Sequence, residues 1–265
     1  MAIARDERGW VRALTIVAAV LLALPASAQT CPGNPDALGT ARTLQVSVAT
    51  TPRVGRKQFP TTLPLAAKEI VLTFDDGPWP GTTPKVLDAL KHECVRATFF
   101  LLGRNALAAP ALARRELAEG HTVGYHTFAH PLLSKMSLAA ADAEVDRGIA
   151  AVDRAAYGDT TEAKEHPARP HTPFFRFPGF AASPALLEHM QARGLVVFGA
   201  DLWASDWNPM TPEQELGLIL RRLDAVGRGI ILFHDTKSET TRMLPAFLRA
   251  VKARGYHVAH IVPGG

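Results

Sequence analysis

Seven short apolar runs alternate with segments of helical periodicity between residues 69 and 261, and this alternation limits the fold more than any other feature of the sequence. Most of the runs are continuously apolar, as is typical of parallel strands that helices cover on both faces. The sequence therefore predicts one α/β domain built on a parallel sheet. The runs are Glu69–Phe74, Ala97–Leu102, Thr122–His126, Phe174–Phe177, Leu195–Ala200, Gly229–His234 and His257–Ile261.

The helical segments between the runs, about six in number, carry their own boundary signals. Three begin with a hydroxyl residue before a proline, which suits an N-cap and a first turn, and three end at a glycine suited to a left-handed conformation. A further long helix is predicted from its single apolar face. The capping pairs are Thr83-Pro84, Ser183-Pro184 and Thr211-Pro212, the glycines are Gly120, Gly194 and Gly255, and the apolar face is Leu138, Ala141, Val145, Ile149 and Val152.

Composition excludes several classes of protein. Hydrophobic residues make up 47% of the 265 residues and charged residues 20%, which is the balance of a folded globular chain. The net charge of +4 is spread without a basic run, which argues against a nucleic-acid binder. Two cysteines are too few for a disulfide scaffold or a four-cysteine zinc site, so we follow the ten histidines.

The N-terminus has the pattern of a secretory signal. Three arginines precede an apolar stretch at 13–24, and small residues follow at 26–28. This arrangement predicts a signal peptide over residues 1–28, cleavage before Gln29 and a secreted or periplasmic protein. The alternative is an uncleaved anchor, but the apolar stretch is shorter than the ~20 residues that a spanning helix needs. We expect no transmembrane span after cleavage.

Residues 29–66 are rich in proline, glycine and threonine and predict an irregular arm in front of a domain at 67–265. Export would place Cys31 and Cys94 in an oxidising compartment, where a disulfide between them would staple the arm to the domain. The alternative is two unpaired thiols. The charged, proline-containing stretch from Tyr157 to Thr172 predicts an exposed loop.

Five of the predicted strands end in side chains able to carry out chemistry. In a β/α barrel the carboxyl ends of the strands share one rim, so these residues would converge although they are far apart in sequence. This favours a closed or nearly closed barrel over an open sheet. The residues are Asp75-Asp76, His126 with His130, Arg176, Asp201 with Asp206-Trp207, and His234-Asp235.

The first two of these groups indicate a metal site. Two adjacent carboxylates repel each other unless a cation offsets the repulsion, although an Asp-Gly-Pro sequence after a strand is often only a turn. His126 and His130 could be surface histidines, but on a helical turn both imidazoles would face the same way, as zinc ligands do. Two histidines and one carboxylate leave coordination positions open, which is typical of a catalytic metal.

The remaining groups indicate hydrolysis. Arg176 and His234 follow apolar runs, where each needs a partner, and Asp206 or Asp235 could pair with the histidine. Trp207 taken alone fits core packing. A carboxylate base and a histidine acid beside a metal are what amide or ester hydrolysis requires. The sequence has no Gly-x-Ser-x-Gly elbow, no Gly-x-Gly-x-x-Gly after a strand and no phosphate-binding loop with lysine.

Five motifs, in order along the chain, resemble those of the polysaccharide deacetylase family, also known as the NodB homology domain or carbohydrate esterase family 4. The resemblance covers about residues 67–262. The motifs are Thr73-Phe74-Asp75-Asp76-Gly77-Pro78, His126-Thr127-x-x-His130, Arg176-x-Pro178, Asp206-Trp207 and Leu232-x-His234.

This resemblance implies a single distorted (β/α)7 barrel of parallel strands, similar to a TIM barrel, and removal of acetyl groups from N-acetylated sugars with one divalent metal ion. Asp76, His126 and His130 would bind the ion, which is commonly zinc in the family, although other divalent transition metals suit such ligands. Asp75 would be the general base that takes a proton from the attacking water. Arg176 would hold Asp75 ionised and oriented.

The resemblance implies further roles on the other side of the site. His234 would protonate the departing amine, and Asp206 would raise its basicity. The metal and a backbone N–H near Gly179 would stabilise the oxyanion. Trp207 and Leu232 would line a small apolar pocket for the acetyl methyl group.

The chain departs from the family pattern in two places. Family members often read Arg-x-Pro-Tyr-Gly where this sequence has Arg176-Phe177-Pro178-Gly179-Phe180, and the charged loop before Phe174 is longer than the family leads us to expect. Because of both differences, the resemblance does not identify the sugar substrate.

We therefore expect a monomeric, metal-dependent deacetylase of a GlcNAc-type extracellular or cell-wall polysaccharide, without a nucleic-acid partner. One alternative is an O-acetyl esterase acting on a polysaccharide such as xylan, and another is a catalytically inactive carbohydrate-binding homologue. A third is an iron oxygenase that uses two histidines and a carboxylate. The third alternative would give Asp75, Arg176 and His234 no role.

Overall fold

The computed structural model describes residues 31–158 and 170–264. The signal peptide expected at 1–28 and most of the loop expected between Tyr157 and Thr172 lie outside these residues. Among the described helices, none has the length and apolar character needed to cross a bilayer.

Ten strands and seven α-helices occur in the described residues, and all seven predicted strands are among them. The strands are β1 (Thr40–Val46), β2 (Arg53–Val54), β3 (Glu69–Asp75), β4 (Thr98–Leu101), β5 (Thr122–Tyr125), β6 (Phe174–Phe175), β7 (Val196–Phe198), β8 (Leu202–Trp203), β9 (Gly229–His234) and β10 (His257–Pro263). The helices are α1 (Thr83–His92), α2 (Gly103–Ala108), α3 (Pro110–Ala118), α4 (Leu138–Tyr157), α5 (Pro184–Ala192), α6 (Pro212–Val226) and α7 (Ser238–Ala253).

Every strand pair in the described residues is parallel, and β3 is at the centre of the sheet. It pairs with β4, with β9 from Ile70 to Asp75, and with β10 at its start. From β9 the order continues β3-β4-β5-β6-β7. The described strand pairs do not close the ring, because β7 pairs with β6 while β8 pairs with β9, and residues 199–201 lie between them. The expected α/β fold of parallel strands is confirmed, with this interruption.

Three strands are not predicted from the sequence, and two of them lie in the predicted arm. β1 pairs with β10, and β2 pairs with β7 through two residues on each side. Both are short or largely exposed, so neither produces the continuous apolar run that marks the inner strands. Asp201, which follows β7, accepts hydrogen bonds from Thr62 Oγ1 (2.6 Å) and the Arg56 N–H (3.0 Å), and so ties the arm to the domain.

Most of the predicted helix boundaries are confirmed. Ser183 caps α5, Thr211 forms a capping box with Gln214, and the three terminal glycines have positive φ. The predicted apolar face of α4 is buried except at its first residue. The prediction for Thr83 is wrong, because it lies inside α1 after Thr82 at the N-cap. Its hydroxyl is instead engaged with the Trp79 N–H and with the Asp235 carboxylate.

Cys31 and Cys94 form a disulfide that joins the arm to the chain just beyond α1. The bridge closes a loop between residues 63 positions apart, and cross-linking so long a loop restricts the unfolded chain.

We therefore expect the double variant Cys31→Ser, Cys94→Ser to lose about 2 to 4 kcal/mol of unfolding free energy, measured by urea denaturation. Two reactive thiols in the unreduced, denatured wild-type protein would contradict the bridge.

Candidate active site

The carboxyl ends of four strands bring the predicted residues to one rim. Asp75 and His234 are the last residues of β3 and β9 and lie opposite each other in the strand register. His126 follows β5, and Arg176 follows β6, whose Phe175 is in register with the end of β5. Residues spread over 160 positions therefore meet because parallel strands end at one edge.

Arg176 is fully buried, and its guanidinium makes four hydrogen bonds. Nη1 donates to Asp75 Oδ1 at 2.7 Å and to Thr73 Oγ1 at 2.8 Å. Nη2 donates to the Gly199 carbonyl at 2.8 Å, and Nε donates to the Phe198 carbonyl at 3.3 Å. A buried cation is costly without partners, and here the partners come from β3, β7 and the residue after β7.

The Asp75 carboxyl is held between two opposing effects. Burial raises its pKa above the ordinary 3.8, and the positive charge of Arg176 opposes that rise. Arg176 occupies Oδ1, while Oδ2 faces the His126 ring, with 3.8 Å to Nε2. Asp75 therefore keeps one oxygen fixed and presents the other towards the histidines.

Asp76, His126 and His130 form a compact donor cluster, with one ligand atom of each within 4.8 Å of the others. Asp76 Oδ1 lies 3.5 Å from His126 Nε2 and 3.6 Å from His130 Nε2. His126 Nδ1 is 2.8 Å from the Arg176 carbonyl, which can only accept, so Nδ1 carries the proton and Nε2 is left with a lone pair. Burial lowers the pKa of His126 to about 3, so the ring is neutral, as a metal ligand must be.

This cluster fits a divalent cation. Asp76 Oδ1 is buried and has no hydrogen-bond partner among the described residues, a condition that costs energy unless a cation is bound there. Two ligands about 2.1 Å from a tetrahedral zinc ion lie about 3.4 Å apart, close to the separations seen here. The His126 tautomer, fixed by a carbonyl behind the ring, is the arrangement usual for histidine ligands.

The two histidines are not on a helical turn, and that part of the prediction is wrong. Residues 126–130 form an irregular loop in which Thr127 and His130 have φ of 69° and 67°. The His130 N–H donates to Thr127 Oγ1 at 3.1 Å. Gly148 of α4 allows the loop to pack closely, because a Cβ there would lie 2.5 Å from the Thr127 carbonyl carbon. The histidines face the same point through loop geometry.

His234 is paired with Asp206, which is one of the two partners that the sequence left open. His234 Nδ1 lies 2.7 Å from Asp206 Oδ1, and the His234 backbone N–H donates to Oδ2 at 2.6 Å. Burial alone would lower the pKa of His234, but the hydrogen bond and charge of Asp206 outweigh it and raise the pKa to about 9. Nε2 lies 3.9 Å from Asp76 Oδ2, so it points at the donor cluster. Asp235 instead contacts Thr83.

An apolar cavity of about 360 Å³ opens beside the cluster. Leu232 and Trp207, the two residues expected to form an apolar pocket, both line it, and so does Gly179. Trp207 is 47% exposed and its ring lies 5.9 Å from that of His234, so the core-packing alternative for it is wrong. Gly179 has a φ of 57° in the turn after Arg176, where a side chain would be strained.

Several residues of the site were not predicted from the sequence. Trp203 and Phe180 stack with ring centroids 6.0 Å apart on the cavity wall, and Lys237 lines the same cavity. Asn105 Nδ2 donates to the Asp76 carbonyl at 2.7 Å. Trp203 precedes Trp207 by four residues, and this pair of tryptophans was the one feature of the sequence that could have indicated the aromatic wall of the cavity. Asp201 lies outside the site.

The chain is similar to a known protein family. The family model described as polysaccharide deacetylase matches residues 63–198, about half of the chain. The match includes Asp75, Asp76 and the residues of the loop at 126–130 and the turn after β6, and it ends before Asp206 and His234.

Two curated relatives and one solved structure share larger parts of the chain. Peptidoglycan-N-acetylglucosamine deacetylase PgdA of Listeria monocytogenes is 34% identical over 197 residues, which are 73% of this chain and 38% of that protein. Chitooligosaccharide deacetylase of a Bradyrhizobium species is 31% identical over 211 residues, 74% of this chain and 90% of that protein. A peptidoglycan deacetylase of Bdellovibrio bacteriovorus superposes with a TM-score of 0.72 at 29% identity, over 84% of this chain and 59% of that one.

The chain thus spans about two fifths of the Listeria relative and most of the Bradyrhizobium one. The family match, the identity with the shorter relative and the shared parallel α/β fold agree with one another. The chain belongs to the polysaccharide deacetylase family.

Proposed function

We propose that this protein is an exported, metal-dependent enzyme that hydrolyses the acetamide group of N-acetylated sugars in a cell-wall or extracellular polysaccharide. The observation that carries the proposal is the placement of two ionisable groups around one donor cluster. Asp75, fixed by Arg176, and His234, fixed by Asp206, both face Asp76 and its histidines. A base and an acid with separate partners are what acyl hydrolysis needs.

Asp76, His126 and His130 would hold the metal ion. A divalent cation at such a site supplies Lewis acidity, which polarises a carbonyl group and makes water more acidic. The protein contributes a neutral imidazole at His126 and a carboxylate oxygen at Asp76 that has no other described partner. The three donors leave room for water and substrate.

Asp75 would act as the general base. In the proposed reaction water adds to the acetyl carbonyl carbon, and one water proton passes to Asp75 Oδ2, the oxygen that Arg176 leaves free. The raised pKa of this buried carboxyl makes it a better proton acceptor than an exposed aspartate.

His234 would act as the general acid. When the carbon–nitrogen bond breaks, the departing amine nitrogen takes the proton from Nε2 of His234, and the products are acetate and a free amino sugar. Asp206 supports this role because it holds the ring by Nδ1 and raises its pKa to about 9, so that the ring is charged at neutral pH. Leu232 and Trp207 would enclose the acetyl methyl group.

An O-acetyl esterase would use the same groups, since an ester oxygen can leave in place of the amine. Acetate release from chitin oligomers, peptidoglycan and acetylxylan, each with and without added zinc, separates the two activities. Faster release from acetylxylan than from both N-acetylated polymers would replace amide hydrolysis with ester hydrolysis.

We expect Asp75→Asn to lower kcat for acetate release from N-acetylated oligosaccharides by about 100-fold or more, because an amide cannot accept the water proton. The carboxamide oxygen can still accept from Arg176, so thermal unfolding and metal content should change little. Asp36→Asn, at an exposed position, is the matched control. Full activity of Asp75→Asn would refute its role as base, and would also favour a different catalytic site.

Removal of divalent metal should abolish acetate release, and added zinc should restore it. Metal analysis should find one equivalent in the wild type and much less in His130→Ala, because that variant removes one of three donors. His257→Ala, at an exposed position in β10, should retain the full equivalent. Full occupancy in His130→Ala would show that the ion binds elsewhere.

Behind Asp206, the hydroxyl of Thr240 lies between two buried carboxyl groups. Its Oγ1 is 2.9 Å from Asp206 Oδ2 and 3.0 Å from Glu215 Oε1. A hydroxyl has one proton to donate, so both contacts are satisfied when Thr240 donates to Asp206 and a protonated Glu215 donates to Thr240. Burial and the nearby charge of Asp206 raise the pKa of Glu215 from 4.5 to about 7, in agreement with the protonated form.

This protonation predicts a pH-dependent effect of Glu215→Gln. Folding favours the protonated glutamic acid, so the wild type loses stability as the pH rises from the unfolded pKa near 4.5 through the folded pKa near 7. The amide of the variant does not titrate. The free energy of unfolding of Glu215→Gln, measured by urea denaturation, should therefore rise relative to that of the wild type by on the order of 2 kcal/mol between pH 5 and pH 8. Glu213→Gln should show no such gain, since the Thr211 hydroxyl lowers the pKa of Glu213.

A further inference from the structure

A second cavity of about 480 Å³ adjoins the donor cluster. It shares Asp76, His130 and Lys237 with the apolar cavity, so the two cavities adjoin at these three residues. The first is walled by aromatic and aliphatic side chains, whereas Arg104 and Thr236 are among the residues of the second. A polymer whose acetylated sugar occupies the first cavity would place a neighbouring sugar in the second.

Arg104 and Lys237 make the second cavity cationic. Within the described residues neither side chain forms an ion pair or a hydrogen bond, while arginines such as Arg115 and Arg193 are paired with aspartates. The only carboxylate in the lining is Asp76, which belongs to the donor cluster. Two cationic side chains therefore line the cavity, and neither is paired with an anion in the described part of the chain.

The backbone fixes Arg104 in this position. The N–H groups of Gly103 and Arg104 donate to the carbonyls of Thr127 and Phe128 at 2.9 and 3.1 Å, so the start of α2 is joined to the loop that carries the histidines. Next to Arg104, the side chain of Asn105 holds the Asp76 carbonyl. The guanidinium is thus presented from a residue anchored to the donor cluster itself.

Trp79 adds a surface suited to a sugar ring. It follows β3 and lines the second cavity, and 51% of its surface is exposed. An exposed indole is costly in water and is a favourable platform for the apolar face of a pyranose. The cavity therefore combines a stacking surface with two unpaired cations.

We propose that this second cavity binds a carboxylate carried by the sugar next to the one that loses its acetyl group. The inference rests on the proposed deacetylase function and narrows its substrate to anionic N-acetylated glycans. Muramic acid, with its lactyl carboxylate or the carboxylates of an attached peptide, has the required chemistry, and a homopolymer of N-acetylglucosamine does not.

The test compares kcat/KM for acetate release from matched oligosaccharides. The probes are the tetramer of N-acetylglucosamine, a peptide-free GlcNAc–MurNAc tetrasaccharide with free lactyl carboxylates, the same tetrasaccharide with those groups converted to amides, and a fragment that keeps its peptides. We expect the carboxylate form to exceed its amide form by about fivefold to tenfold, the effect of one partly exposed charge-assisted hydrogen bond. Faster turnover of the peptide-bearing fragment would assign the carboxylate to the peptide.

Arg104→Gln should reduce the ratio between the carboxylate and amide forms towards one, and Arg104→Glu should bring it below one. Raising the salt concentration should reduce the wild-type ratio as well, because the cations are partly exposed. Arg249→Gln, at an exposed position of α7, is the matched control and should keep the wild-type ratio.

The outcomes separate this inference from the proposed function. Equal kcat/KM for the carboxylate and amide forms in the wild type, with no faster turnover of the peptide-bearing fragment, would overturn the carboxylate site while deacetylation itself stands. So would a preference for carboxylate that Arg104→Glu leaves unchanged. Absence of acetate release from every probe by the zinc-loaded wild type would overturn both.

Discussion

The buried ion pair between Arg176 and Asp75 is the interaction on which the site depends most. The guanidinium bonds to Thr73 and Asp75 of β3 and to the carbonyls of Phe198 and Gly199, at the point where the described strand pairs leave the ring open. It therefore ties the end of β7 to β3 and orients the proposed base at the same time. A lysine could not replace it, since one ammonium cannot reach four acceptors spread across a plane.

The two proposed proton-transfer groups are kept apart by their partners. Burial raises the pKa of Asp75, and Asp206 raises the pKa of His234, so a proton acceptor and a proton donor lie on either side of one donor cluster. Thr240 and Glu215 extend the support for His234 into the core. Each proposed proton-transfer group thus has a hydrogen-bond partner of its own.

Sequence alone predicted the inner strands and the residues at their ends, because continuous apolar runs and clustered polar residues are local signals. It missed β1 and β2, whose pairing depends on partners far along the chain. It placed His126 and His130 on a helix because their spacing suits one, whereas a loop packed on Gly148 gives the same convergence. Arg104 and Lys237 belong to no motif, and their relation to the site became visible only in the lining of the second cavity.

The arm has a consequence for where the protein can be cut. β1 lies on the edge of β10 and β2 on the edge of β7, so these seemingly peripheral residues cover hydrogen-bonding groups on both flanks of the sheet. A fragment trimmed to the segment that family resemblance defines would expose those flanks, and bare strand edges invite self-association. The pairing of β1 and β2 thus makes the sheet wider than the segment that carries the family motifs.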